Sequence, residues 1–126
     1  MWERGGAVMV ETLSLSLNEN VEWTGGDPVP AERVIDGEPL FSTIRTVEQG
    51  AVTAGFWRCT PGRFQASRTG SDEVFTVIRG AGRVIADGSD AVQLAPGVVV
   101  VIRSGWSGVW EIDETIEKAF IITASS

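Results

Sequence analysis

Residues 61–80, PGRFQASRTGSDEVFTVIRG, combine turn residues with segments that have the pattern of β-strands. A Pro-Gly turn opens the stretch and a short extended piece follows. An acidic pair then precedes the alternating apolar run of residues 74–79, which ends at Gly80. Apolar side chains at every second position, bounded by turn residues, are typical of a β-strand. The stretch therefore predicts extended elements separated by tight turns.

Regular turn signals continue through the rest of the chain. Pro-Gly pairs and the hairpin pair Asp87-Gly88 separate apolar runs that are too brief for helices. The predicted extended segments are residues 51–59, 64–67, 74–79, 83–86, 92–94, 98–103, 107–112 and 116–123. Short strands with a turn roughly every 8–12 residues are typical of an all-β sandwich or barrel. A chain of 126 residues fits one such domain.

The first 50 residues carry weaker signals. Residues 1–6 predict a loose terminus, and residues 13–17, LSLSL, alternate with a period of two and predict a strand. Residues 18–37 contain glycines and prolines that predict mostly loop, whereas residues 41–48 alternate again. We therefore expect residues 1–50 to add strands and a wrapping loop to the same domain, with residues 51–126 forming its barrel core.

Composition argues against several partners and locations. The net charge of −7 and the pI of about 4.5 disfavour nucleic acid, because a duplex-binding surface must be basic. The longest apolar run, residues 98–102, is far too short to span a bilayer, and the acidic N-terminal segment lacks the apolar centre of a signal peptide. We therefore expect no membrane partner and a cytoplasmic location. The single cysteine, Cys59, excludes an intrachain disulfide.

The chain contains no histidine. Imidazole is the commonest side-chain ligand for transition metals and the usual general base near neutral pH. Mechanisms built on a Ser-His-Asp triad, a Cys-His pair or a histidine-rich metal site are therefore excluded. A hard ion held by carboxylates alone is an alternative, but Asp72 and Glu73 are neighbours on a strand and point to opposite faces. We expect no metal and no cofactor.

A short pattern occurs twice. Residues 61–70, PGRFQASRTG, and residues 96–105, PGVVVVIRSG, share Pro-Gly, five residues, Arg, Thr or Ser, and Gly, offset by 35 residues. One interpretation is two similar strands between common turns. The other is two related half-motifs that face each other across a barrel.

These half-motifs resemble the two cupin motifs. The glycines and the acidic residue of the first motif are present, although the spacing before the acid is one residue short. The matching residues are Gly62, Glu73 and Gly80 in the first half-motif and Gly97 and Gly105 in the second. The three positions of the family's ligand histidines hold Arg68, Gly70 and Gly108, and Arg103 stands at the position of a proline.

A wider signature resembles one group of small single-domain cupins. It consists of GFWRCTPGRF, DEVFTVIRGAGRV, LAPGVVVVIRSGWSGVW and EKAFII, and Trp110 and Lys118 are typical of that group. The group is related to the cupin domain of ureidoglycine aminohydrolase and is otherwise of unknown function. The resemblance implies an RmlC-like cupin fold, an antiparallel β-barrel or jelly roll. The ureidoglycine enzymes hold manganese through histidines, so that activity is not carried over to a chain without histidine.

Glu73 is the candidate acid or base. Alternation places Glu73, Phe75 and Val77 on one strand face, so a carboxylate would lie among apolar groups if that face is the interior. The alternative is a rim carboxylate that pairs with an arginine. Lys118 is the candidate partner of an interior carboxylate such as Glu73, or else a strand-surface lysine.

The remaining candidates would bind a ligand. The guanidinium groups of Arg68 and Arg103 could each hold a carboxylate or ureido oxygen through two hydrogen bonds, or simply lie at the surface. Aromatic side chains could form the walls of the pocket or belong to the core; they are Trp57, Phe75, Trp106 and Trp110. Cys59 lies on the same strand face as Trp57, and a buried structural thiol is favoured over a nucleophile because no histidine is available to activate it.

Three functions remain open, in this order. The first is a metal-independent pocket for a small polar or anionic metabolite. The second is a hydrolase, lyase or isomerase that uses Glu73 as acid or base. The third is a dimerisation or regulatory module whose barrel is filled by its own side chains. We also expect a homodimer, because exposed edge strands in a small domain are often covered by a partner.

Overall fold

The computed structural model of the protein describes residues 12–17, 23 and 25–124. In these residues the chain forms strands and a single turn of 3-10 helix at Ala31–Arg33, with no α-helix. The strands are β1 (Asp27–Pro28), β2 (Val34–Asp36), β3 (Leu40–Gln49), β4 (Val52–Cys59), β5 (Gly62–Ser67), β6 (Ser71–Ala86), β7 (Ala91–Leu94), β8 (Val99–Ile102) and β9 (Ser107–Ala124). The prediction of an all-β domain is confirmed.

Two long strands, β6 and β9, belong to both layers of the barrel. The second half of β9 pairs with β4 and with the first half of β6, which also pairs with β8. The first half of β9 pairs with β5 and with the second half of β6, which also pairs with β7. All of these pairings are antiparallel. The sheet therefore curls into an open antiparallel barrel, with β3 and β1 extending one layer and β2 the other. The predicted antiparallel barrel is confirmed.

Two predicted turns are wrong. The run at 74–79 was predicted to end at Gly80, and separate strands were predicted at 107–112 and 116–123. Instead β6 continues through Gly80 and β9 continues through residues 113–115, with shifts of register where the two strands pair. A Cβ atom on Gly80 would overlap the carbonyl oxygen of Thr115, and Gly80 has a φ of 99°. The glycine thus permits two bent strands to approach closely where they pass from one layer to the other.

The N-terminal predictions had mixed outcomes. The strand predicted at residues 41–48 is confirmed as part of β3. The strand predicted at 13–17 is wrong, because these residues form no strand, and two of their three leucines, Leu13 and Leu15, are exposed. Alternation alone does not make a strand, because strand formation also depends on pairing and packing against neighbouring strands. Residues 1–6 and part of the predicted wrapping loop lie outside the described residues, and described residues 25–37 contribute β1, the 3-10 turn and β2.

Apolar side chains fill the space between the two layers. The alternation of β6 places Glu73, Phe75 and Val77 inward, each at most 3% exposed, as predicted. The other buried apolar residues are Val29, Cys59, Phe64, Val84, Leu94, Val100, Ile102, Trp110, Ile112, Ile116 and Phe120. Burying a large apolar side chain stabilises a fold by about 1.5–3 kcal/mol, so this core supplies most of the stability.

The opposite face of the same layer is apolar and exposed. Val74 is in register with Val101 on one side and with Ile121 on the other, and all three are 40% exposed or more. The homodimer expected from the sequence stays a prediction, which sedimentation of the purified protein tests.

Candidate functional site

Lys118 occupies the centre of the barrel. It is the single lysine in the sequence, beside nine arginines, and it projects inward from β9 with only 5% exposure. Its Nζ donates a hydrogen bond of 2.8 Å to Oε2 of Glu73 on the adjacent strand β6. The predicted pairing of Lys118 with an interior carboxylate is therefore confirmed, and the chain's one ammonium side chain is an interior group.

Three aromatic rings surround the ammonium group. Its Nζ lies 4.3 Å from the ring centroid of Phe75, 4.5 Å from that of Trp57 and 4.8 Å from that of Trp110. Trp57 is in register with Lys118 on β4, whereas Trp110 belongs to the half of β9 that lies in the other layer. Aromatic faces attract a cation most strongly when it is desolvated. Both layers of the barrel thus hold the ammonium in place.

Burial lowers the pKa of Lys118 below its usual value. Removing an ammonium group from water disfavours its charged form. The carboxylate of Glu73 opposes this shift through charge and through its hydrogen bond, and burial outweighs it. The amine is thereby brought nearer to its neutral, nucleophilic form than a surface lysine would be.

Arg68 binds the other oxygen of the same carboxylate. It lies in the loop between β5 and β6, and its guanidinium donates to Oε1 of Glu73 at 3.0 Å and to Oγ of Ser71 at 2.8 Å. Glu73 is 4% exposed and Arg68 24% exposed at the side chain, so the arginine reaches from the buried pair towards the opening. One buried carboxylate therefore holds two cations, one on each oxygen.

A cavity of about 270 Å³ opens above this group. The described residues that line it are Arg33, Thr43, Trp57, Phe64, Ala66, Ser67, Arg68, Glu73, Trp110, Lys118, Phe120 and Ile122. Three of them are cationic and one is acidic, which leaves a surplus of two positive charges in a chain whose net charge is −7. Two larger hollows, of about 430 and 540 Å³, are lined by no buried charged side chain. The smaller cavity is the candidate site.

The two repeated half-motifs meet at this end of the barrel. Their strands, β5 and β8, lie in different layers, and the loops that follow are joined by hydrogen bonds. The N–H of Arg68 donates to the oxygen of Trp106 at 2.9 Å, and the N–H of Gly105 donates to the oxygen of Arg68 at 2.7 Å. The amide of Gly70 donates to Oγ of Ser104 at 2.9 Å. The repeat therefore builds two adjoining loops.

The two arginines of the repeat point to opposite faces. Arg68 bonds inward to Glu73, whereas Arg103 is 77% exposed and pairs with Oδ1 of Asp72 at 3.3 Å. The backbone N–H of Ser104 also donates to that oxygen, and these contacts lower the pKa of Asp72. The prediction that Asp72 and Glu73 point to opposite faces of the strand is confirmed. Each of the two acids forms an ion pair with one of the two arginines. Arg103 does not line the cavity.

The other predicted site residues divide between the cavity wall and the core. Trp57 and Trp110 line the cavity. The ring of Phe75 contacts the ammonium group of Lys118 but does not line the cavity. Trp106 packs against the core next to Gly108 and does not line the cavity. Cys59 is fully buried and its thiol donates to the oxygen of Thr60 at 3.5 Å. Burial raises its pKa to about 12, so little thiolate forms at neutral pH.

Sequence reasoning missed several cavity residues. Arg33, in the 3-10 turn, brings a third cation to the rim, where its Nε donates to the oxygen of Gln65 at 2.9 Å. No motif marks Arg33, because its segment has no periodic pattern. Phe64 faces the cavity from β5. Its alternation with Ala66 could have predicted that both side chains point into the barrel. Lys118 was among the predicted residues, and the fact that it is the chain's single lysine could have strengthened that prediction.

The cavity does not suit the histidine-held metal of the cupin motifs. The described residues contain no group of three or more histidine, cysteine or acidic side chains placed to hold an ion. Glu73 is the single acid among the described lining residues, and two cations already bind it. A Cβ atom at Gly108 would overlap the carbonyl oxygen of Ile85, while Gly70 has a φ of 82°. The backbone at both positions thus resists the side chains that the motif would require.

Among the described residues, no helix has the length and apolar character needed to cross a membrane.

Comparison with known proteins agrees with this architecture. Residues 46–120 match the sequence profile of the EutQ-like cupin domain. No curated protein matches the chain. The fold is similar to that of a protein of unknown function from Pseudomonas syringae pv. tomato, with a TM-score of 0.73 and 17% identity over 85% of this chain and 46% of the other. This chain therefore spans about half the length of the Pseudomonas protein.

Two further solved structures cover most of both chains. The EutQ protein of Clostridium difficile has a TM-score of 0.67 and 17% identity over 82% of this chain and 81% of the other. KdgF from Halomonas sp. has a TM-score of 0.63 and 15% identity over 90% and 94%. At these identities the likeness shows the fold alone. The match over residues 46–120, on an antiparallel barrel of this topology, places the chain in the EutQ-like cupin domain family.

Proposed function

We propose that the cavity binds a small anionic metabolite, a carboxylate in particular, without a transition metal. The observation that carries this proposal is the sharing of one buried carboxylate by Arg68 and Lys118. Glu73 neutralises only one of the two cations, so the group keeps a surplus positive charge beneath the opening. A carboxylate ligand would compensate that charge.

The shape and chemistry of the walls favour a small ligand. The cavity of about 270 Å³ lies just below the usual range of ligand-site volumes, which begins at about 300 Å³. Trp57, Phe64 and Trp110 provide apolar contact area, and the cations at one end provide orientation. A guanidinium has five N–H donors, and the hydrogen bonds from Arg68 to Ser71 and Glu73 use one N–H on each terminal nitrogen. A ligand carboxylate would accept from the others.

Electrostatics supports an anion over a neutral polar molecule. A cleft with low-dielectric walls concentrates the field of the charges that line it, which raises the local concentration of the opposite ion. The acidic remainder of the surface repels anions, so the three cations at Arg33, Arg68 and Lys118 make the cavity the attractive region for one.

The relation to the cupin domain of ureidoglycine aminohydrolase, and any catalytic or regulatory function, stay proposals. The resemblance to the cupin domain of ureidoglycine aminohydrolase brings no activity here, because the donor set for its metal is missing. Catalysis with Glu73 as acid or base, and a purely regulatory role, remain the alternatives to binding. A regulatory barrel filled by its own side chains would leave no room for a ligand, and the cavity favours binding over that alternative.

Thermal unfolding in EDTA tests the proposal. Protein without a histidine tag is heated with small carboxylates such as lactate, propionate and succinate, each compared with its neutral amide. At a hundred times the Kd, binding stabilises the fold by about 2.7 kcal/mol and raises Tm by on the order of 10 °C. We expect carboxylates, and not the amides, to raise Tm.

A matched pair of variants localises the effect. Arg68→Gln removes the inward arginine of the repeat, and Arg103→Gln removes the outward one. The shift should disappear in the first and persist in the second. Equal loss in both variants, or a shift that requires added metal, would overturn the proposal.

A further inference from the structure

The geometry points to a second role for this cavity, which rests on the binding proposed above: Lys118 forms an imine with the carbonyl carbon of a 2-oxo acid whose carboxylate is held by Arg68. The cavity would then form a covalent bond to its ligand as well as bind it, and the ligand would be a carboxylate with an adjacent carbonyl group.

Lys118 has the surroundings of a nucleophilic amine. It is the chain's single lysine, it lines the cavity, and its side chain is only 6% exposed. Its Nζ contacts aromatic rings and one carboxylate. Desolvation in an apolar pocket is one of the ways in which proteins activate an amine, and burial lowers the pKa of this one. A lysine kept only for solubility would lie on the surface, where this chain uses arginines and acids.

Glu73 is placed to handle the protons of the reaction. The ammonium of Lys118 passes a proton to Oε2, 2.8 Å away, and the neutral amine attacks the carbonyl carbon. A C–N bond forms, the π electrons move to oxygen, and that oxygen takes the proton from Glu73. The hydroxyl then takes a second proton, from nitrogen by way of the same carboxylate, and leaves as water. One ammonium and one ketone thus give one iminium and one water, without oxidant or reductant.

The charge balance of the site survives the reaction. The iminium carries the same single positive charge as the ammonium that it replaces. Glu73 and the rings of Trp57, Phe75 and Trp110 therefore continue to stabilise it. The step buries no new unpaired charge.

The positions of the two cations select a 2-oxo acid. Arg68 and Lys118 bind the two oxygens of one carboxylate, so their nitrogen atoms are separated by little more than a carboxylate and its two hydrogen bonds. In a 2-oxo acid the carboxylate and the electrophilic carbon are directly bonded. Such a ligand can bond to Arg68 while its carbonyl carbon faces Nζ, and the small cavity favours short acids.

Reductive trapping tests this inference. The whole chain is incubated with pyruvate, glyoxylate or 2-oxobutyrate and sodium cyanoborohydride, and its intact mass is measured. A trapped pyruvate imine adds the mass of pyruvic acid less one oxygen atom. The chain offers two amines, the N-terminal one and Lys118. Peptide mapping therefore distinguishes the site without requiring a Lys118 variant that might not fold.

We expect a stoichiometric adduct on Lys118 that lactate suppresses by competition. Arg68→Gln should reduce the trapping rate at low 2-oxo acid by about tenfold or more, because a charge-assisted bond is lost, whereas Arg103→Gln should leave it unchanged. An adduct on the N-terminus alone, or none, would overturn the inference. If lactate still raises Tm in that case, anion binding stands and the imine falls; if no acid raises Tm, both fall.

Discussion

The carboxylate of Glu73 lies 2.8 Å from the ammonium of Lys118, and the two side chains are only 4% and 6% exposed. Burying two charges costs more than their attraction returns unless further contacts compensate. Here Arg68 supplies a second hydrogen bond to the acid, and three aromatic rings contact the base. The pair therefore belongs to a larger group whose members depend on one another.

Removing one member should destabilise the fold, and removing both should cost less than the sum. Glu73→Gln leaves the ammonium of Lys118 without its counterion beside Arg68, and should reduce the free energy of unfolding by about 3–5 kcal/mol. Lys118→Met leaves the acid with Arg68, so its cost should be lower, about 3 kcal/mol or less. Urea unfolding of both variants and of the double variant measures the coupling. Strictly additive costs would show that the two side chains do not act together.

The thiol of Cys59 should make stability fall at alkaline pH. Its pKa is 9.0 in the unfolded chain and about 12 in the fold, because burial disfavours the thiolate. The contribution of the protonated thiol is thus fully present below pH 9 and is lost as pH rises towards 12. A full loss would be on the order of 4 kcal/mol at about 1.36 kcal/mol per pKa unit.

Cys59→Val provides the comparison, since Lys118 and the arginines are unchanged in that variant. Urea unfolding between pH 8 and pH 11 should show a steeper decline for the natural chain than for the variant. Parallel curves would contradict a buried, protonated thiol at this position.

Gly108 should tolerate no side chain. A Cβ atom there would overlap the carbonyl oxygen of Ile85 on β6, so Gly108→Ala should reduce the free energy of unfolding by about 2–3 kcal/mol through displaced backbone. Gly25→Ala is the control, because nothing lies within 4 Å of its added Cβ atom, and it should change stability by about 0.5 kcal/mol or less. Chemical denaturation measures both. If the two substitutions cost the same, the close approach at Gly108 is unimportant.

The sequence predicted those features that depend on local periodicity. Alternation correctly assigned Glu73 and Phe75 to the interior and Asp72 to the exterior, because a strand fixes the face of every residue once one face is buried. The same reasoning linked Lys118 to an interior carboxylate. The all-β class followed from turn residues at short intervals.

Features that depend on contacts between residues distant in the sequence could not be predicted in this way. Gly80 looks the same in a sequence whether it ends a strand or lets a long strand bend past Thr115. Arg68 and Arg103 occupy equivalent places in a repeat, but the acids that they bind lie on opposite faces of β6. Arg68 therefore points into the barrel and Arg103 points to the surface. Arg33 reaches the cavity from a segment with no pattern at all.

The position of β9 within both layers sets the order in which the chain can fold. In one layer β9 separates β4 from β6, and in the other it separates β5 from β6. During synthesis, both halves of the barrel therefore lack their middle strand until residues 107–124 have left the ribosome. Because long-range strand pairing is slow and cooperative, the domain is expected to fold in one late step, in which the arrival of a single strand completes both layers and carries Lys118 to Glu73.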